Sequence, residues 1–258
     1  MTYKEIDIDA LVAIAIAAGD AIMEVYNRSF IVEVKDDKSP LTEADKKSNA
    51  VILEKLNALY PQIPFISEES KQTPYAERQH WNRLWLIDPL DGTKEFIKRN
   101  GEFTVNIALI EDGVPVVGVV HAPAKGTTYY GVKGEGAFKI TRGVIVPISN
   151  TVHYSQKQKV IVVGSRSHLD ERTEAFVQNL RTEGKEVEFS ASGSSLKFCM
   201  VAEGAADVYP RFGPTMEWDT AAAHAVALYA GKNVLHAETR QPVVYNKPDL
   251  YSPFFIVE

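Results

Sequence analysis

The spacing of apolar residues changes repeatedly along the chain between the period of a helix and that of a strand. Recurrence every three to four residues predicts helices, and alternation or a short apolar run predicts strands. Helices are predicted over 6–26, 42–59, 169–180, 194–202 and 218–229. Strands are predicted over 30–34, 63–66, 84–87, 103–110, 114–120, 127–132, 136–140, 160–163, 187–190, 207–209 and 254–257, with a further strand signal near Val243.

Strand patterns dominate the first half of the chain, and helices and strands alternate in the second. The pair Asp112-Gly113 between two predicted strands is a strong signal for a hairpin, so the first half is expected to be mostly antiparallel. The sequence turns polar around 150–159, and we place there the boundary between two packed halves, 1–150 and 151–258. The predicted fold class is α+β, with helices and sheets in layers.

Composition narrows the class of protein further. Apolar residues make up 45% of the 258 positions and charged residues 24%, which is ordinary for a globular chain. The single cysteine, Cys199, excludes a disulfide framework and a cysteine zinc site and fits a reducing compartment. The formal net charge of −6 argues against a nucleic-acid polymer as partner, although a small anionic substrate needs only a local positive site.

The sequence shows no targeting or membrane-spanning segment. Acidic residues follow the start closely, which does not fit a signal peptide. The most apolar early stretch, 11–18, is far shorter than the roughly 20 residues that a spanning helix needs. A soluble cytoplasmic protein is therefore expected.

The densest chemical signal is Asp88-Pro-Leu-Asp91-Gly-Thr, which follows an apolar run. Two carboxylates at the end of a buried strand repel each other and lose hydration, so they require a counter-charge. Oxygen ligands favour a hard divalent cation such as Mg²⁺. The main-chain N–H groups of Gly92, Thr93 and Lys94 are expected to open a helix and to favour a phosphate. The alternative is a plain strand-to-helix turn in which both aspartates are caps.

Three further acidic residues follow strand ends or begin helices. Glu68 directly follows an apolar run, so it is placed to join a metal site, or it belongs to a solvated acidic loop. Asp219 begins a helix rich in small residues and is either a ligand or only an N-cap. Thr42 and Asp45 have the spacing of a capping box, with the alternative that Asp45 orients a hydroxyl or a water in the site.

Two segments offer one cation each. Gly-Ser-Ser-Leu-Lys at 193–197 contains Lys197, and Tyr-Pro-Arg-Phe-Gly at 209–213 contains Arg211 beside the aromatic Phe212. They could bind a second phosphate and stack a base, or they are an ordinary helix start and a strand-end turn. Walker-type phosphate loops, nucleophile elbows and zinc-binding His-Glu-x-x-His helices are absent from the sequence, and its six histidines have no ligand spacing.

Taken together, these pieces resemble the inositol monophosphatase superfamily of Mg²⁺-dependent, lithium-sensitive phosphatases. The resemblance rests on Glu-Glu at 68–69, Asp-Pro-Leu-Asp-Gly-Thr at 88–93 and Trp-Asp at 218–219, in that order. It covers nearly the whole chain, from Thr42 to Ala223. It implies a layered αβαβα sandwich of the kind shared by inositol monophosphatases and fructose bisphosphatases.

Longer stretches resemble one branch of that superfamily, the bacterial 3′(2′),5′-bisphosphate nucleotidases. These stretches are 88–110, 193–199 and 209–215. Inositol phosphatases of the family carry an acidic residue a few positions before the Trp-Asp pair, where it bonds the inositol hydroxyls. This sequence has Arg211-Phe212-Gly213 there, which suits a second phosphate and a nucleobase better than a neutral polyol.

The resemblance also implies a metal centre of two or three Mg²⁺ ions. Glu68, Asp88 and the main-chain carbonyl of Leu90 would bind one ion. Asp88, Asp91 and Asp219 would bind a second, so that Asp88 bridges the two.

Catalytic and substrate-binding roles are implied in the same way. Thr93 and Asp45 would orient the attacking water, with Glu68 assisting through a water on the metal. The residues implied to contact substrate are Glu68, Asp91, Gly92, Thr93, Ser194, Ser195, Lys197, Arg211 and Asp219.

The activity that this resemblance implies is hydrolysis of adenosine 3′,5′-bisphosphate to AMP and phosphate, with the related sulfated nucleotide as a second substrate and a role in sulfur metabolism. The expected partner is thus a small nucleotide bisphosphate. Peripheral association with the cytoplasmic face of the inner membrane is implied only by the family. A broader inositol or sugar phosphatase is the alternative within enzymes, and a non-catalytic binding module on the same fold is the alternative outside them.

Overall fold

The computed structural model describes residues 1–34, 40–165 and 171–258. The helices are α1 (Ile8–Tyr26), α2 (Glu43–Leu59), α3 (Tyr75–Arg78), α4 (Thr93–Ile97), α5 (Glu171–Thr182), α6 (Leu196–Ala202) and α7 (Glu217–Tyr229). The strands are β1 (Thr2–Tyr3), β2 (Ile6–Asp7), β3 (Val32–Val34), β4 (Pro40–Thr42), β5 (Phe65–Ser67), β6 (Arg83–Asp91), β7 (Thr104–Glu111), β8 (Val114–Ala122), β9 (Thr127–Val132), β10 (Gly136–Thr141), β11 (Val144–Ile148), β12 (Lys159–Gly164), β13 (Glu186–Ala191), β14 (Tyr209–Arg211), β15 (Val234–His236) and β16 (Phe255–Val257).

A seven-stranded sheet occupies the centre of the first half, in the order β11-β10-β9-β8-β7-β6-β5. Its neighbouring strands are antiparallel except for β5 and β6, which run parallel. The predicted hairpin at Asp112-Gly113 joins β7 to β8, and both residues have positive φ, +48° and +78°. Such backbone angles match the right-handed twist of paired strands. The mostly antiparallel first half is therefore confirmed.

Buried apolar side chains form three clusters, which define five layers. Helices α1 and α2 pack on one face of the large sheet, and α6 and α7 pack on the other. The strands β12, β14 and β16 cover the far side of α6 and α7 with one face. Their opposite face packs against α5 through Val160, Val162 and Leu180, among others. The order helix, sheet, helix, sheet, helix confirms the predicted αβαβα sandwich.

Helix α7 lies directly on the large sheet because small residues face each other there. A Cβ at Gly118 of β8 would lie 2.2 Å from the carbonyl oxygen of Ala222, and one at Gly131 of β9 would lie 2.4 Å from that of Ala225. Only glycine allows an approach this close. The contact fixes the position of α7, and with it the position of Asp219 in its first turn.

One helix boundary and one strand prediction differ from the structure for identifiable reasons. Helix α1 begins at Ile8 because Asp7 is its N-cap, accepting hydrogen bonds from the N–H groups of Asp9 and Ala10. The strand signal near Val243 is wrong. The adjacent Pro242 has no N–H for a ladder and makes only an isolated bridge to Leu235 in β15.

Two further differences concern an edge strand and the start of a helix. The strand β11 was missed, and it is an edge strand whose residues Val144, Ile145 and Val146 are exposed, so its sequence does not alternate. The predicted helix over 169–180 corresponds to α5, but its first two residues, Leu169 and Asp170, lie outside the described residues. The division of the chain into halves at residue 150 remains our proposal.

Candidate active site

The strand β6 carries the two central carboxylates and loses its regular pairing between them. Asp88 lies opposite Asn106 and Asp91 lies opposite Thr104, so the register shifts by one residue within the Asp-Pro-Leu-Asp stretch. Such bulges bend a strand and redirect its side chains, and they are common beside active sites. Pro89 is compatible with the bulge because it has no N–H group to leave unpaired.

Two hydrogen bonds hold this bulge in place. The hydroxyl of Ser48 in α2 donates to the carbonyl of Pro89 at 2.7 Å, and the N–H of Leu90 donates to Oδ1 of Asp88 at 3.0 Å. As a result, Asp88 and Asp91 both reach the wall of one open cavity of about 470 Å³. The same wall holds every residue predicted to bind metal: Glu68, Asp88, Leu90, Asp91 and Asp219. It also holds Gly92 and Thr93, which belong to the segment 92–94 predicted to bind phosphate, called the phosphate loop below.

The carboxylates in this cavity repel one another. Burial raises the pKa of Asp88 well above its ordinary value, and the negative charges of Glu68, Asp91 and Asp219 raise it further. Burial also raises the pKa of Asp219 well above its ordinary value, with Asp91 as the next contribution. Shifts of this kind mark acidic groups without a counter-charge. The donor set consists of oxygen atoms, which fits a hard divalent cation such as Mg²⁺.

Within the described ranges, no three Asp, Glu, His or Cys side chains are gathered as closely as they would be around an ion. Instead, three aspartates each turn one oxygen toward a main-chain N–H group and have a second oxygen to offer. These pairs are Asp88 with Leu90, Asp91 with Ser195 and Asp219 with Met216. A cation would bind by drawing the second oxygens together, so the residues present fit the metal that the sequence implies.

Asp45 satisfies both of the alternatives that the sequence left open. The capping box at the start of α2 is present, and Oδ2 of Asp45 accepts hydrogen bonds from the N–H (2.7 Å) and the hydroxyl (2.6 Å) of Thr42. Its other oxygen, Oδ1, accepts a hydrogen bond from the hydroxyl of Thr93 at 3.3 Å. The carboxylate thus ties the helix start to the phosphate loop. Asp219 is similar, because it closes a capping box at α7 and also lines the cavity.

Two glycines bring the phosphate loop and the 193–195 segment together around Glu102. A Cβ at Gly92, where φ is +93°, would lie 3.1 Å from the Glu102 carbonyl oxygen, and a Cβ at Gly193 would lie 2.7 Å from it. The N–H of Gly193 also donates to Oε2 of Glu102 at 2.9 Å. A side chain at Gly193 would therefore force the segments to shift, and at Gly92 the positive φ favours glycine.

A second, smaller cavity of about 170 Å³ adjoins the open one and shares Asp91, Gly92 and Asp219 with it. Lys197 and Arg211 line its wall. The Nζ atom of Lys197 donates to the carbonyl of Ser194 at 2.6 Å, and the side chain is only 7% exposed. Burial lowers the pKa of Lys197 to about 8, with the charge of Asp91 opposing the shift and that of Arg211 adding to it.

Three polar atoms on the wall of this smaller cavity are buried and have no hydrogen-bond partner among the described residues. They are the hydroxyls of Ser194 and Thr215 and Nε of Arg211. Buried polar groups in native proteins are almost always hydrogen-bonded, so unpaired ones concentrated in a cavity point to a polar ligand. Ser195 differs from Ser194, because its hydroxyl donates to the carbonyl of Asp219 at 2.7 Å. Ser194 is therefore the predicted serine whose hydroxyl is available to a ligand.

Comparison with known families agrees with this geometry. The model described as "Inositol monophosphatase family" matches residues 4–252, almost the entire chain. The chain belongs to the inositol monophosphatase family. Members of this family depend on metal ions, which is consistent with the carboxylate cavity.

Similar members of the family carry a common name. The chain is 52% identical over 219 residues to the 3′(2′),5′-bisphosphate nucleotidase CysQ of Salmonella typhimurium, covering 84% of this chain and 85% of that protein. It is 48% identical over 240 residues to the protein of the same name from Escherichia coli K12, covering 92% and 93%. The crystal structure of CysQ from Bacteroides thetaiotaomicron superposes with a TM-score of 0.83 at 45% identity, covering 97% and 96%.

Phe212 follows Arg211 directly after β14. Its ring packs edge-on against Phe254, with centroids 6.5 Å apart, and Phe212 is not among the residues that line the two cavities. Stacking of a base on Phe212 therefore stays a prediction. The half-exposed ring on the wall of the open cavity is that of Tyr251.

Two site residues were missed by the sequence reasoning. Thr215 lies within the 209–215 stretch, but its role is visible only once its hydroxyl is seen to be buried and unpaired. Asn106 was available as a signal, because it is a lone amide among the apolar residues in the middle of its strand. None of the described helices is both long enough and apolar enough to cross a membrane.

Proposed function

We propose that this chain hydrolyses the 3′-phosphate of adenosine 3′,5′-bisphosphate, giving AMP and inorganic phosphate, with Mg²⁺ as its metal. The observation that carries the proposal is that the cavity of the clustered carboxylates adjoins, across Asp91 and Asp219, a smaller cavity whose wall also carries the cations Lys197 and Arg211. A substrate with two phosphates matches both, since one phosphate can lie at the carboxylates and the other between Lys197 and Arg211. The names of the relatives from Salmonella and Escherichia support the same substrate class, and the related sulfated nucleotide is a second candidate.

The metal-binding residues of the proposal are those whose oxygens share the open cavity. Glu68, Asp88 and the Leu90 carbonyl would hold one ion, and Asp88, Asp91 and Asp219 would hold a second. When bound, Mg²⁺ neutralises the carboxylates and stabilises the charge that develops on the phosphoryl oxygens and the attacking water.

The chain's own residues position the reactants. The hydroxyl of Thr93, held by Asp45, orients the water that attacks phosphorus, and Glu68 lies on the same cavity wall to assist. The main-chain N–H groups of Gly92 and Thr93 bind the scissile phosphate. A general base contributes about 10²–10⁴-fold, far less than the barrier lowering of about 20 kcal/mol that monoester hydrolysis requires. Positioning and charge neutralisation therefore carry most of the rate enhancement.

The second phosphate occupies the smaller cavity in this proposal. Lys197 and Arg211 supply the positive charge, and the unpaired hydroxyl of Ser194 supplies a hydrogen bond. Ser195 contributes mainly by holding Asp91 through its N–H group at 2.7 Å. A charged group that is buried without water binds a phosphate more strongly than an exposed one, because its field is less screened.

Hydrolysis in ¹⁸O-labelled water tests the proposal. The enzyme is incubated with adenosine 3′,5′-bisphosphate and Mg²⁺, and the products are separated by chromatography and weighed by mass spectrometry. We expect 5′-AMP and phosphate carrying one ¹⁸O atom, because water attacks phosphorus and the P–O bond to the ribose breaks. Asp91→Asn, which loses a metal-binding charge, is expected to give no product. Release of the 5′-phosphate, or undiminished turnover by Asp91→Asn, would contradict the proposal.

The proposed site of action is the cytoplasm. The single cysteine, Cys199, is a free thiol buried in the core, which supports a reducing compartment. The proposed substrate is a small nucleotide, and the acidic net charge of −6 gives no support to binding of a nucleic-acid polymer.

A further inference from the structure

Asn106 occupies an unusual position for an amide side chain. It lies in the middle of β7, is 1% exposed, and its neighbours Val105, Ile107 and Ala108 are buried and apolar. In the β6–β7 ladder it lies directly opposite Asp88, and residues opposite each other on antiparallel strands project from the same face. Asn106 therefore reaches the layer that holds α6, α7 and the carboxylates.

The amide nitrogen of Asn106 joins two residues from different halves of the chain. Its Nδ2 donates to Oγ of Ser195 at 3.0 Å and to Oδ2 of Asp91 at 3.4 Å. Ser195 closes the ring by donating its own N–H to Oδ2 of Asp91 at 2.7 Å. The hydroxyl of Ser195 continues the network to the carbonyl of Asp219. The network thus connects the bulge of β6, the start of α6 and the first turn of α7.

The other end of the same amide is buried and unpaired. Oδ1 of Asn106 accepts no hydrogen bond from any residue that the structure describes. An unpaired buried acceptor costs about 1–3 kcal/mol, so an apolar residue would suit a purely structural position in this strand better. What the amide contributes is the pair of hydrogen bonds donated by Nδ2, and their acceptors, Ser195 and Asp91, are both residues of the site.

We propose that Asn106 is a positioning residue that fixes Asp91 and Ser195 against each other, so that the metal-binding carboxylates and the 194–197 wall of the smaller cavity form one rigid unit. Both donors to Asp91 go to Oδ2, which orients the carboxylate and leaves Oδ1 for the cation. The inference rests on the proposed function for its kinetic consequences, but its consequence for metal binding does not depend on the identity of the substrate.

The first test is calorimetric titration of Mg²⁺ alone into wild type and Asn106→Leu, which is similar in size but has no donor. Loss of a residue that orients a metal ligand typically weakens metal binding about 10–100-fold, and we expect a change in that range. Asn106→Ser, too short to reach both partners, is measured beside it and is expected to weaken binding as well. Mg²⁺ affinity within twofold of wild type in either folded variant would overturn the proposal.

The matched control is Thr104→Val, on the same strand and opposite Asp91. The hydroxyl of Thr104 is buried and has no hydrogen-bond partner within the described part of the chain, and valine has nearly the same shape, so the substitution removes no hydrogen bond that the structure shows. Mg²⁺ affinity and turnover are expected to stay within twofold of wild type. A drop as large as that of Asn106→Leu would show that any change in this strand disturbs the site, and the proposal would fail.

A double-mutant cycle with Ser195→Ala tests the coupling itself. If Asn106 and Ser195 act as one unit, the loss of Mg²⁺ affinity in the double variant is clearly smaller than the sum of the two single losses in free energy. Additive losses would show that the two residues act separately and would overturn the inference. An inactive wild type that still binds Mg²⁺, with the same coupling, would instead refute the proposed substrate and leave this inference standing.

Discussion

The hydroxyl of Thr93 donates a hydrogen bond to Oδ1 of Asp45 at 3.3 Å, across 48 residues of sequence. The second oxygen of the same carboxylate is held by Thr42, so Asp45 cannot rotate away from Thr93 without breaking the capping box of α2. A hydroxyl fixed in this way presents a defined lone pair to the cavity. In the proposed mechanism, this relationship gives a helix cap a direct part in orienting the attacking water.

Thr93→Val tests that relationship. Because valine keeps the shape and removes the hydroxyl, we expect kcat to fall about 10²–10⁴-fold, the usual range for loss of a group that handles the proton of the nucleophile. The unfolding temperature and Mg²⁺ affinity are expected to stay close to those of wild type. Thr93→Ser retains the hydroxyl and should keep most of the activity. Equal losses in the serine and valine variants would contradict the role of the hydroxyl.

Asp88→Asn is expected to separate stability from activity. Burial and three neighbouring carboxylates raise the pKa of Asp88, so its charge destabilises the metal-free fold and its neutralisation should relieve that cost. We expect the unfolding temperature in EDTA to rise by about 2–4 °C for each kcal/mol recovered, while Mg²⁺-dependent turnover is lost.

The control for that experiment is Asp112→Asn, which neutralises an exposed aspartate in the β7–β8 turn, where φ is +48° and asparagine is tolerated. It should change neither the unfolding temperature in EDTA nor the activity appreciably. A metal-free unfolding temperature of Asp88→Asn below that of wild type would show that the carboxylates do not repel one another as the structure indicates.

Arg211→Ala probes the second phosphate. Loss of a hydrogen bond to a charged group costs about 1.5–3 kcal/mol, so KM for adenosine 3′,5′-bisphosphate is expected to rise about 10–150-fold. KM for adenosine 3′-monophosphate, which lacks the second phosphate, should change less than about twofold by the same reasoning. Arg172→Ala, an exposed arginine that packs on Phe254, is the control variant. Equal effects on the two substrates would show that Arg211 does not bind the second phosphate.

The lowered pKa of Lys197 predicts that kcat/KM for the bisphosphate depends on pH in the alkaline range. Burial lowers its pKa to about 8, so the positive charge proposed to bind the second phosphate is present below that pH and is lost as the pH rises through it. The groups that act on it are Asp91, Glu95, Glu102 and Arg211. We expect kcat/KM for the bisphosphate to fall above about pH 8, since this ratio reports the ionisation of the free enzyme.

Lys197→Arg is the matched variant, because a guanidinium stays protonated throughout this range. Its kcat/KM for the bisphosphate should be independent of pH where the wild type declines. Adenosine 3′-monophosphate should show no decline with either enzyme. A decline that persists in Lys197→Arg would assign the ionisation to another group.

Local patterns accounted for most of the fold. Apolar periodicity located the helices that pack on the large sheet, and Asp112-Gly113 located a hairpin, because both signals depend on neighbours in sequence. The exposed edge strand β11 was not predicted because the residues of Val144–Ile148 face water without a covering layer, so their sequence does not alternate. The start of α1 was misplaced because the pattern does not show which residue caps the helix.

The candidate site could be predicted where chemistry is concentrated in one segment. The Asp88–Thr93 stretch pointed to a metal and a phosphate by itself, and the structure places Glu68 and Asp219 in the same cavity. The sequence could not show which way individual side chains point. The packing of Phe212 on Phe254, the buried hydroxyl of Thr215 and the bridge made by Asn106 depend on which face a side chain occupies and on contacts between distant segments.

The most direct test of the account is a comparison of kcat/KM for three substrates in Mg²⁺: adenosine 3′,5′-bisphosphate, inositol 1-phosphate and fructose 1,6-bisphosphate. Phosphate release is followed with and without EDTA and with and without lithium. The account predicts a strong preference for the nucleotide, with activity abolished by EDTA and inhibited by lithium. Faster hydrolysis of inositol or fructose phosphate, or no release of phosphate from the nucleotide, would contradict it.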